Sequence, residues 1–252
     1  MKAQGKDYGG YTVVDPAKVK AGYETDFSIV GFGWGKNVNT TWPKNKVYFK
    51  DFKRKMLYST FQHAPGWTAQ FDFILKEVTE NKGQAYFLDI ERSEWGFRED
   101  LNKRQQSLDI ERILKYLREK ELFQVGFYCG FYMHYILSQN IDLSSYQWWC
   151  ASPDDDPANH PGSLNLWKKW AGNRTLYDYT FDQWSWEGYA PNYGAINEKK
   201  SIDLTQCKND LVWLDSWLGL EDAPPIPPPP DSLDDWNMAL DKGIEALEEL
   251  KK

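Results

Sequence analysis

The stretch Gln84-Ala-Tyr-Phe-Leu-Asp-Ile-Glu91 decides the fold, because it joins an apolar run to two carboxylates. The run predicts a strand in a packed interior. Side chains at i and i+2 of a strand share a face, so Asp89 and Glu91 would project together, about 7 Å apart. Each charge disfavours ionisation of the other, which lets one carboxyl stay protonated as a general acid. A solvated strand end and a pair of metal ligands are the alternatives that the spacing leaves open.

The composition narrows the class of partner. The 252 residues carry a net charge of −7, whereas nucleic-acid binding leaves a basic patch. The chain also has 13 Trp and 15 Tyr, more than a core needs, and sugars and bases both stack on aromatic faces. Because no cluster of Lys and Arg lies among the aromatics, base stacking is the weaker interpretation and no nucleic-acid partner is expected.

Cysteine and histidine usage indicates neither a metal centre nor a cofactor site. Cys129, Cys150 and Cys207 are widely spaced and form no CxxC pair, so we expect buried free thiols. The 3 histidines are equally isolated.

The N-terminal residues lack the apolar segment of a signal peptide, and no stretch approaches the ~18 apolar residues of a membrane span. We therefore expect no signal peptide and no membrane partner.

Strand-like runs alternate with helix-like segments up to about residue 219, which indicates an α/β fold with a largely parallel sheet. Apolar residues at helical spacing predict helices over residues 69–80, 102–120 and 209–217. Together with a short strand near Asp7, the strand-like runs predict a closed barrel rather than an open sheet. These runs are residues 27–33, 55–61, 85–91, 124–129, 146–151, 179–184 and 200–204.

The composition changes after the barrel, which we assign to residues 1–220. Residues 221–230 form a Pro-rich linker, expected to be a stiff polyproline II spacer. Residues 231–252 predict a short amphipathic helix with one apolar stripe. Such a helix is marginal alone, so it should dock on this chain's own barrel, on a second copy or on a larger assembly such as a virion. The segment 153–178, rich in Asp, Pro and Gly, predicts an irregular excursion.

Two further carboxylates belong to the same prediction. Asp7 lies where the short first strand would end, and Asp203 lies at the end of the last predicted strand. The C-terminal strand ends of a β/α barrel converge on one face, where active sites are built. We predict that both aspartates meet the Asp89/Glu91 pair around one cleft. Aromatic residues near other strand ends are predicted to line it as sugar-stacking surfaces: Tyr58, Tyr128, Trp148 and Trp184.

The order of these motifs resembles the glycoside hydrolase family 25 lysozymes, the muramidases of the Chalaropsis type. The likeness covers roughly residues 5–219. The family's Gly-x-Asp opening is matched by Gly5-Lys-Asp7, its Leu-Asp-x-Glu strand by Leu88-Asp-Ile-Glu91, and its terminal Val-Asp-Leu-Asn by Ile202-Asp-Leu-Thr205. Its remaining strands are matched by Met56-Leu-Tyr-Ser-Thr-Phe61, Gly126-Phe-Tyr-Cys129, Trp148-Trp-Cys-Ala151 and Gln183-Trp-Ser185.

The resemblance implies a TIM-like (β/α)5β3 barrel that cleaves the β-1,4 bond between N-acetylmuramic acid and N-acetylglucosamine in peptidoglycan. By position, Glu91 would be the general acid, and Asp89 would set its pKa or orient the acetamido group of the substrate. Asp7 and Asp203 would stabilise an oxocarbenium-like transition state or position water. The sequence departs from the family pattern at some positions, such as Thr205, where the family has Asn. None of these differences removes a carboxylate. The favoured interpretation is a phage lysin, which would be made in the host cytoplasm and act on the cell wall, or be carried in the virion.

Two alternatives to a muramidase remain at this point. The barrel could be a non-catalytic glycan-binding or structural virion component, anchored by the linker and helix that catalysis does not need. It could also be a hydrolase from another barrel family that acts on a different glycan. The latter is weaker, because the chitinase-like strand signature carries additional acidic residues upstream of the pair and Ala85-Tyr-Phe-Leu88 has none.

Overall fold

The computed structural model of the protein describes residues 2–63, 66–94, 96–151, 179–196 and 201–220. Within these ranges the chain closes into a barrel of eight strands with helices between them, which confirms the predicted TIM-like α/β architecture. The strands are β1 (Gln4–Tyr8), β2 (Val14–Val19), β3 (Phe27–Trp34), β4 (Asn37–Val38), β5 (Lys55–Thr60), β6 (Ala85–Asp89), β7 (Gln124–Gly130), β8 (Gln147–Ala151), β9 (Phe181–Tyr189), β10 (Tyr193–Ala195) and β11 (Ser201–Cys207). The helices are α1 (Trp42–Phe49), α2 (Ala69–Glu80), α3 (Lys103–Arg118), α4 (Phe131–Ser138) and α5 (Leu211–Trp217).

One antiparallel strand closes an otherwise parallel barrel. Around the barrel, β1, β3, β5, β6, β7, β8 and β9 pair in parallel with their neighbours. Strand β11 lies between β9 and β1 and pairs antiparallel with both. Strand β4 extends β3 outside the barrel, while β2 and β10 form a separate two-stranded sheet. The direction of β11 matters for the site, because its first residues lie beside the last residues of β1.

Local signals placed many element boundaries within two residues, whereas β9 and β11 extend five and three residues beyond their predicted ends. Helix α2 has the predicted bounds, and α3 begins after Asn102, whose side chain accepts a hydrogen bond from the Gln105 backbone N–H at 3.1 Å. Helix α5 is capped in the same way by Asp210. Gly219 ends that helix region with a φ of +69°, a left-handed conformation that favours glycine. Strand β6 ends at Asp89, so the prediction of a strand reaching Glu91 is wrong by two residues.

The sequence did not predict α1 and α4. Helix α1 buries Asn45 among its apolar residues, where its amide donates to the Thr12 carbonyl at 2.8 Å and accepts from the Val14 N–H at 3.2 Å. A polar residue on the buried face breaks the apolar periodicity that marks a helix. Helix α4 follows β7 without a connecting loop, so the two form one apolar run with no visible boundary.

Strand alternation divides the core into two layers. One set of side chains, including Leu57 and Leu88, packs between the barrel wall and the helices. The other set, including Phe87, fills the barrel interior. Because β11 returns the chain to the end opposite the C-terminal strand ends, α5 closes that end with Leu214 and Trp217. The Trp217 ring lies 5.6 Å from the ring of Phe181, centre to centre.

The predicted irregular segment 153–178, the linker 221–230 and the helix 231–252 lie outside the described residues. The expected burial of Cys129, Cys150 and Cys207 is confirmed. Within the described ranges, no helix has the length and apolar character that crossing a bilayer requires.

The packing of α5 predicts a large loss of stability for Trp217→Ala. Only 7% of Trp217 is exposed, so its removal leaves a cavity against Phe87 and Phe181. We expect the free energy of unfolding, measured by urea titration, to fall by about 3–5 kcal/mol. Val212→Ala, on the same helix but 55% exposed, is the control and should change it by less than about 0.5 kcal/mol. Similar losses in both variants would contradict this role of α5.

Candidate active site

The four predicted carboxylates meet in one cleft at the C-terminal mouth of the barrel. The cleft has a volume of about 890 Å³ and is open to solvent on one side. Its walls come from the ends of β1, β3, β5 and β6, from the loops that follow them, and from the start of β11. The carboxylates that line it are Asp7, Asp89, Glu91 and Asp203.

Asp203 reaches the cleft for a different reason from the predicted one. The sequence placed it at the C-terminal end of a strand, where parallel strands converge. In the structure it is the third residue of β11, close to the strand's beginning. Since β11 runs antiparallel to β1, Asp203 lies directly opposite Asp7. The residue is where the prediction put it, but the strand runs the other way.

Asp89 is the last residue of β6 and is only 5% exposed. The Thr60 hydroxyl donates to Asp89 Oδ2 at 2.6 Å, whereas Oδ1 is buried and has no hydrogen-bond partner among the described residues. Burial, and then the charge of Glu91, raise the pKa of Asp89 well above its usual value. A buried oxygen without a partner costs free energy until it gains a proton or a donor from a ligand.

Glu91 follows β6 and is held by a tight turn. Its carbonyl accepts the Phe97 N–H at 2.9 Å, and the Ser93 hydroxyl accepts the Gly96 N–H at 2.7 Å. A Cβ at position 96 would lie 2.5 Å from the Glu91 carbonyl oxygen, so the turn requires glycine there. The Glu91 side chain is exposed to the cleft, yet the surrounding walls desolvate it and raise its pKa. It is the more accessible carboxylate of the Asp89/Glu91 pair.

Asp7 and Asp203 are joined through Gln183. The Gln183 amide nitrogen Nε2 donates to Asp7 Oδ1 at 2.9 Å and to Asp203 Oδ2 at 3.3 Å, while the Thr205 hydroxyl donates to Asp7 Oδ2 at 2.6 Å. Burial and the charge of Asp203 raise the pKa of Asp7, against the effect of these two donors. Burial and the charge of Glu91 raise the pKa of Asp203 to about 6.

The predicted aromatic residues divide into those near the cleft and those turned away from it. Tyr58 lines the cleft and packs closely on two glycines: a Cβ at Gly9 would lie 2.5 Å from its hydroxyl oxygen, and a Cβ at Gly31 would lie 2.5 Å from its ring carbon Cζ. Tyr128 lies beneath, in the barrel interior, with its hydroxyl donating to Gln183 Oε1 at 2.7 Å.

Trp148 and Trp184 do not line the cleft. The Trp148 ring stacks on His134, with 3.9 Å between ring centres, in the layer between the barrel wall and the helices. Trp184 packs against the same layer. Adjacent strand residues face opposite sides, so Trp149 takes the inward position beside Trp148. A prediction that required only nearness to a strand end could not distinguish the two faces.

Two exposed aromatics that the sequence analysis missed line the cleft instead. Trp34 is the last residue of β3 and is 42% exposed, and Tyr11 follows β1 and is 75% exposed. The convergence of C-terminal strand ends could have identified Trp34, had the strand been extended by one residue beyond Gly33. Tyr11 lies in a loop, where no periodic pattern marks it.

Comparison with solved structures finds this fold in cell-wall hydrolases. A bacterial lysozyme from Streptomyces coelicolor superposes with a TM-score of 0.62 at 16% identity, over 86% of this chain and 97% of the other. A muramidase from Trichobolus zukalii gives 0.60 at 18% identity, over 86% and 98%. A glycosyl hydrolase 25 of Streptococcus pneumoniae, described as a virulence factor participating in host cell invasion, gives 0.59 at 12% identity, over 86% and 92%. No protein-family model and no curated protein sequence matches the chain. At these identities, the likeness establishes the fold.

The raised pKa of Asp203 predicts that Asp203→Asn stabilises the protein near neutral pH. In the folded state this carboxyl titrates at about 6, above its usual value of 3.8, so the folded state binds the proton more tightly than the unfolded chain does. Stability is therefore lost as pH rises from about 4 through 6, because the buried group must ionise. We expect Asp203→Asn to raise the thermal midpoint by several degrees at pH 7.5, and the gain to disappear below about pH 4. Asp51→Asn, at an exposed aspartate outside the cleft, should leave the midpoint unchanged at both pH values. A gain of equal size at both pH values for Asp203→Asn would contradict the ionisation argument.

Proposed function

We propose that the protein is a peptidoglycan hydrolase, an N-acetylmuramidase that cleaves the β-1,4 bond between N-acetylmuramic acid and N-acetylglucosamine in the bacterial cell wall. The observation that supports it most directly is the convergence of carboxylates from separate strands on one open cleft, in a fold shared with a lysozyme and a muramidase. Glycoside hydrolysis needs one carboxylic acid to protonate the leaving oxygen and a second carboxylate to stabilise or attack the opposite side of the sugar.

Glu91 has the properties of the general acid. It is open to the cleft, and desolvation raises its pKa, so a protonated fraction persists at a higher pH than for a solvated glutamate. In the reaction, the Glu91 proton passes to the glycosidic oxygen while the bond from that oxygen to the anomeric carbon breaks. Water then adds to the anomeric carbon through its oxygen and gives one proton to a carboxylate of the cleft, which balances the proton that Glu91 lost and completes the hydrolysis.

Asp89 is suited to orient the substrate rather than to protonate it. Its Oδ2 is occupied by the Thr60 hydroxyl, and its buried Oδ1 lacks a donor among the described residues. The acetamido group of an N-acetylated sugar carries one N–H, which could supply that missing donor. An N-acetylated glycan is therefore compatible with this carboxylate as the substrate.

Asp203 is the carboxylate suited to stabilise the positive charge that develops on the sugar ring. It is partly buried beside Glu91, and one of its oxygens is held by Gln183. Both oxygens of Asp7 are occupied, by Gln183 and Thr205, so Asp7 acts on the reaction through the charge and position of Asp203. Trp34 and Tyr11 offer exposed rings along the cleft wall for stacking on sugar faces.

The proposal predicts that Glu91→Gln abolishes hydrolysis while the fold is kept. Glutamine fills the same space but has no transferable proton, so turnover of purified peptidoglycan should fall by at least about 100-fold. The measurement is the loss of turbidity of cell-wall suspensions together with the release of reducing ends, which reports cleaved glycosidic bonds.

Glu94→Gln is the matched control for that measurement, because Glu94 is an exposed glutamate three positions along the same loop and outside the cleft lining. It should retain wild-type turnover. Turnover near wild type in Glu91→Gln, with an unchanged circular dichroism spectrum, would refute the assignment of the acid. Glycan binding without cleavage by the unmodified protein would favour a binding module built on the same barrel.

A second prediction concerns Trp34. If its exposed ring stacks on a sugar, Trp34→Ala should raise KM about 5- to 50-fold, the equivalent of roughly 1–2 kcal/mol of contact, with a smaller effect on kcat. Tyr135→Ala removes a ring of similar exposure, 40%, on α4 and outside the cleft lining, and should leave KM unchanged. Equal KM values in both variants would exclude Trp34 from the glycan-binding surface.

A further inference from the structure

Gln183 is a buried amide beneath the cleft whose hydrogen-bonding groups are all engaged. It is only 3% exposed and lies on β9, next to β11. Its nitrogen Nε2 donates to Asp7 and Asp203, as described above. Its oxygen Oε1 accepts from the Tyr128 hydroxyl at 2.7 Å and from the Trp186 indole N–H at 3.2 Å. One side chain thus connects β1, β7, β9 and β11 at the level of the carboxylates.

The orientation of this amide follows from the chemistry of its partners. An indole N–H can only donate, so the Gln183 atom that faces Trp186 must be the oxygen. The two hydrogens of the nitrogen must then point to the opposite side, where the aspartates lie. The Tyr128 hydroxyl could accept as well as donate, so it does not determine the orientation by itself. Trp186 therefore decides which end of the amide the aspartates meet.

The position of the amide counters a specific electrostatic problem. Asp7 and Asp203 are directly opposite one another on paired strands, where like charges repel. The nitrogen of Gln183 offers each aspartate one polarised hydrogen, and hydrogen bonds to an anion favour its ionised form. Since Asp203 Oδ2 is held in this way, the rotation of the carboxylate is restricted and Oδ1 is left for the cleft.

We propose that Gln183 is a positioning residue for the reaction, which holds Asp203 in place as an anion beside Asp7, and that Trp186 fixes the orientation of the Gln183 amide. This inference rests on the muramidase function proposed above for its kinetic consequences, but not for its structural ones. Gln183 does not line the cleft and acts on the substrate only through Asp203.

The titration of Asp203 provides the test, and it requires no substrate. The groups that face Asp203 are Asp7 from β1, Glu91 and Asp89 from the end of β6, and the hydroxyls of Tyr58 and Tyr128. The variants are Gln183→Leu, which removes both donors, and Trp186→Phe, which removes the indole N–H together with part of the ring at a residue that is 56% exposed. Carbon-13 NMR of the aspartate carboxyl groups follows each variant through pH, and a Glu91→Gln background removes the charge that is coupled to Asp203.

We expect Gln183→Leu to raise the titration midpoint of Asp203 by about one pH unit, because the anion loses a donor. The acidic limb of the kcat/KM profile should move up with it, and kcat should fall roughly 10-fold or more while KM stays within about 2-fold. Trp186→Phe should move the midpoint in the same direction by less, since Tyr128 still binds the amide oxygen. If Gln183→Leu does not fold, Trp186→Phe decides the question.

Gln106→Leu is the control for a merely structural effect. Gln106 is a buried glutamine, 1% exposed, whose amide makes two hydrogen bonds to the backbone of Arg98 rather than to a carboxylate. It should lower stability but leave the titration of Asp203 in place. An unmoved midpoint in both Gln183→Leu and Trp186→Phe would overturn the proposal, even in an enzyme that lyses cell walls. Moved midpoints in a protein that cleaves no peptidoglycan would support the positioning role and overturn the proposed function.

Discussion

The register between β1 and the antiparallel strand β11 is the constraint on which the rest of this structure depends. It closes the barrel, and it sets Asp7 opposite Asp203 at the mouth. A shift of one residue in this pairing would turn either side chain to the other face of the wall. The same strand direction carries the chain back to the opposite end, where α5 seals the interior. Closure of the barrel and assembly of the carboxylate cleft are therefore the same event.

Concentrating carboxylates in a desolvated cleft lowers the stability of the folded state, and the surrounding hydrogen bonds only partly offset this loss. The pKa values of Asp7, Asp89, Glu91 and Asp203 are all raised, and burial is the largest cause for each. Such a site favours a slightly acidic environment for stability and loses stability as its groups ionise. The same perturbation keeps an acid protonated at a pH where a solvated carboxyl would have lost its proton. The loss of stability and the retention of a proton on the acid therefore have the same physical cause, which is the burial of the carboxylates.

The carboxylates of the cleft differ in their contacts. Asp7 has both oxygens occupied, Asp89 has one occupied and one buried without a partner among the described residues, and Glu91 faces solvent across the cleft. Of these three carboxylates, Glu91 is the one that is exposed to the cleft. Gln183 and Thr205 influence the electrostatics of the site through their hydrogen bonds to the aspartates, although neither side chain carries a charge. The aromatic surface follows the same division, with Trp34 at the cleft wall and Tyr128 beneath it supporting Gln183.

By itself, the sequence determined the barrel, the positions of its main strands and the identity of the four carboxylates. Those depend on local signals, namely apolar periodicity, capping residues and acids at strand ends, which act over a few residues. Only the tertiary structure decided which aromatics line the cleft and which face the helices, as Trp148 and Trp149 illustrate by facing opposite sides of one strand. It also decided that Asp203 arrives from the start of an antiparallel strand and that Gln183 bridges it to Asp7. Strand direction and contacts between residues 176 positions apart, as for Gln183 and Asp7, arise from barrel closure, which no local pattern encodes.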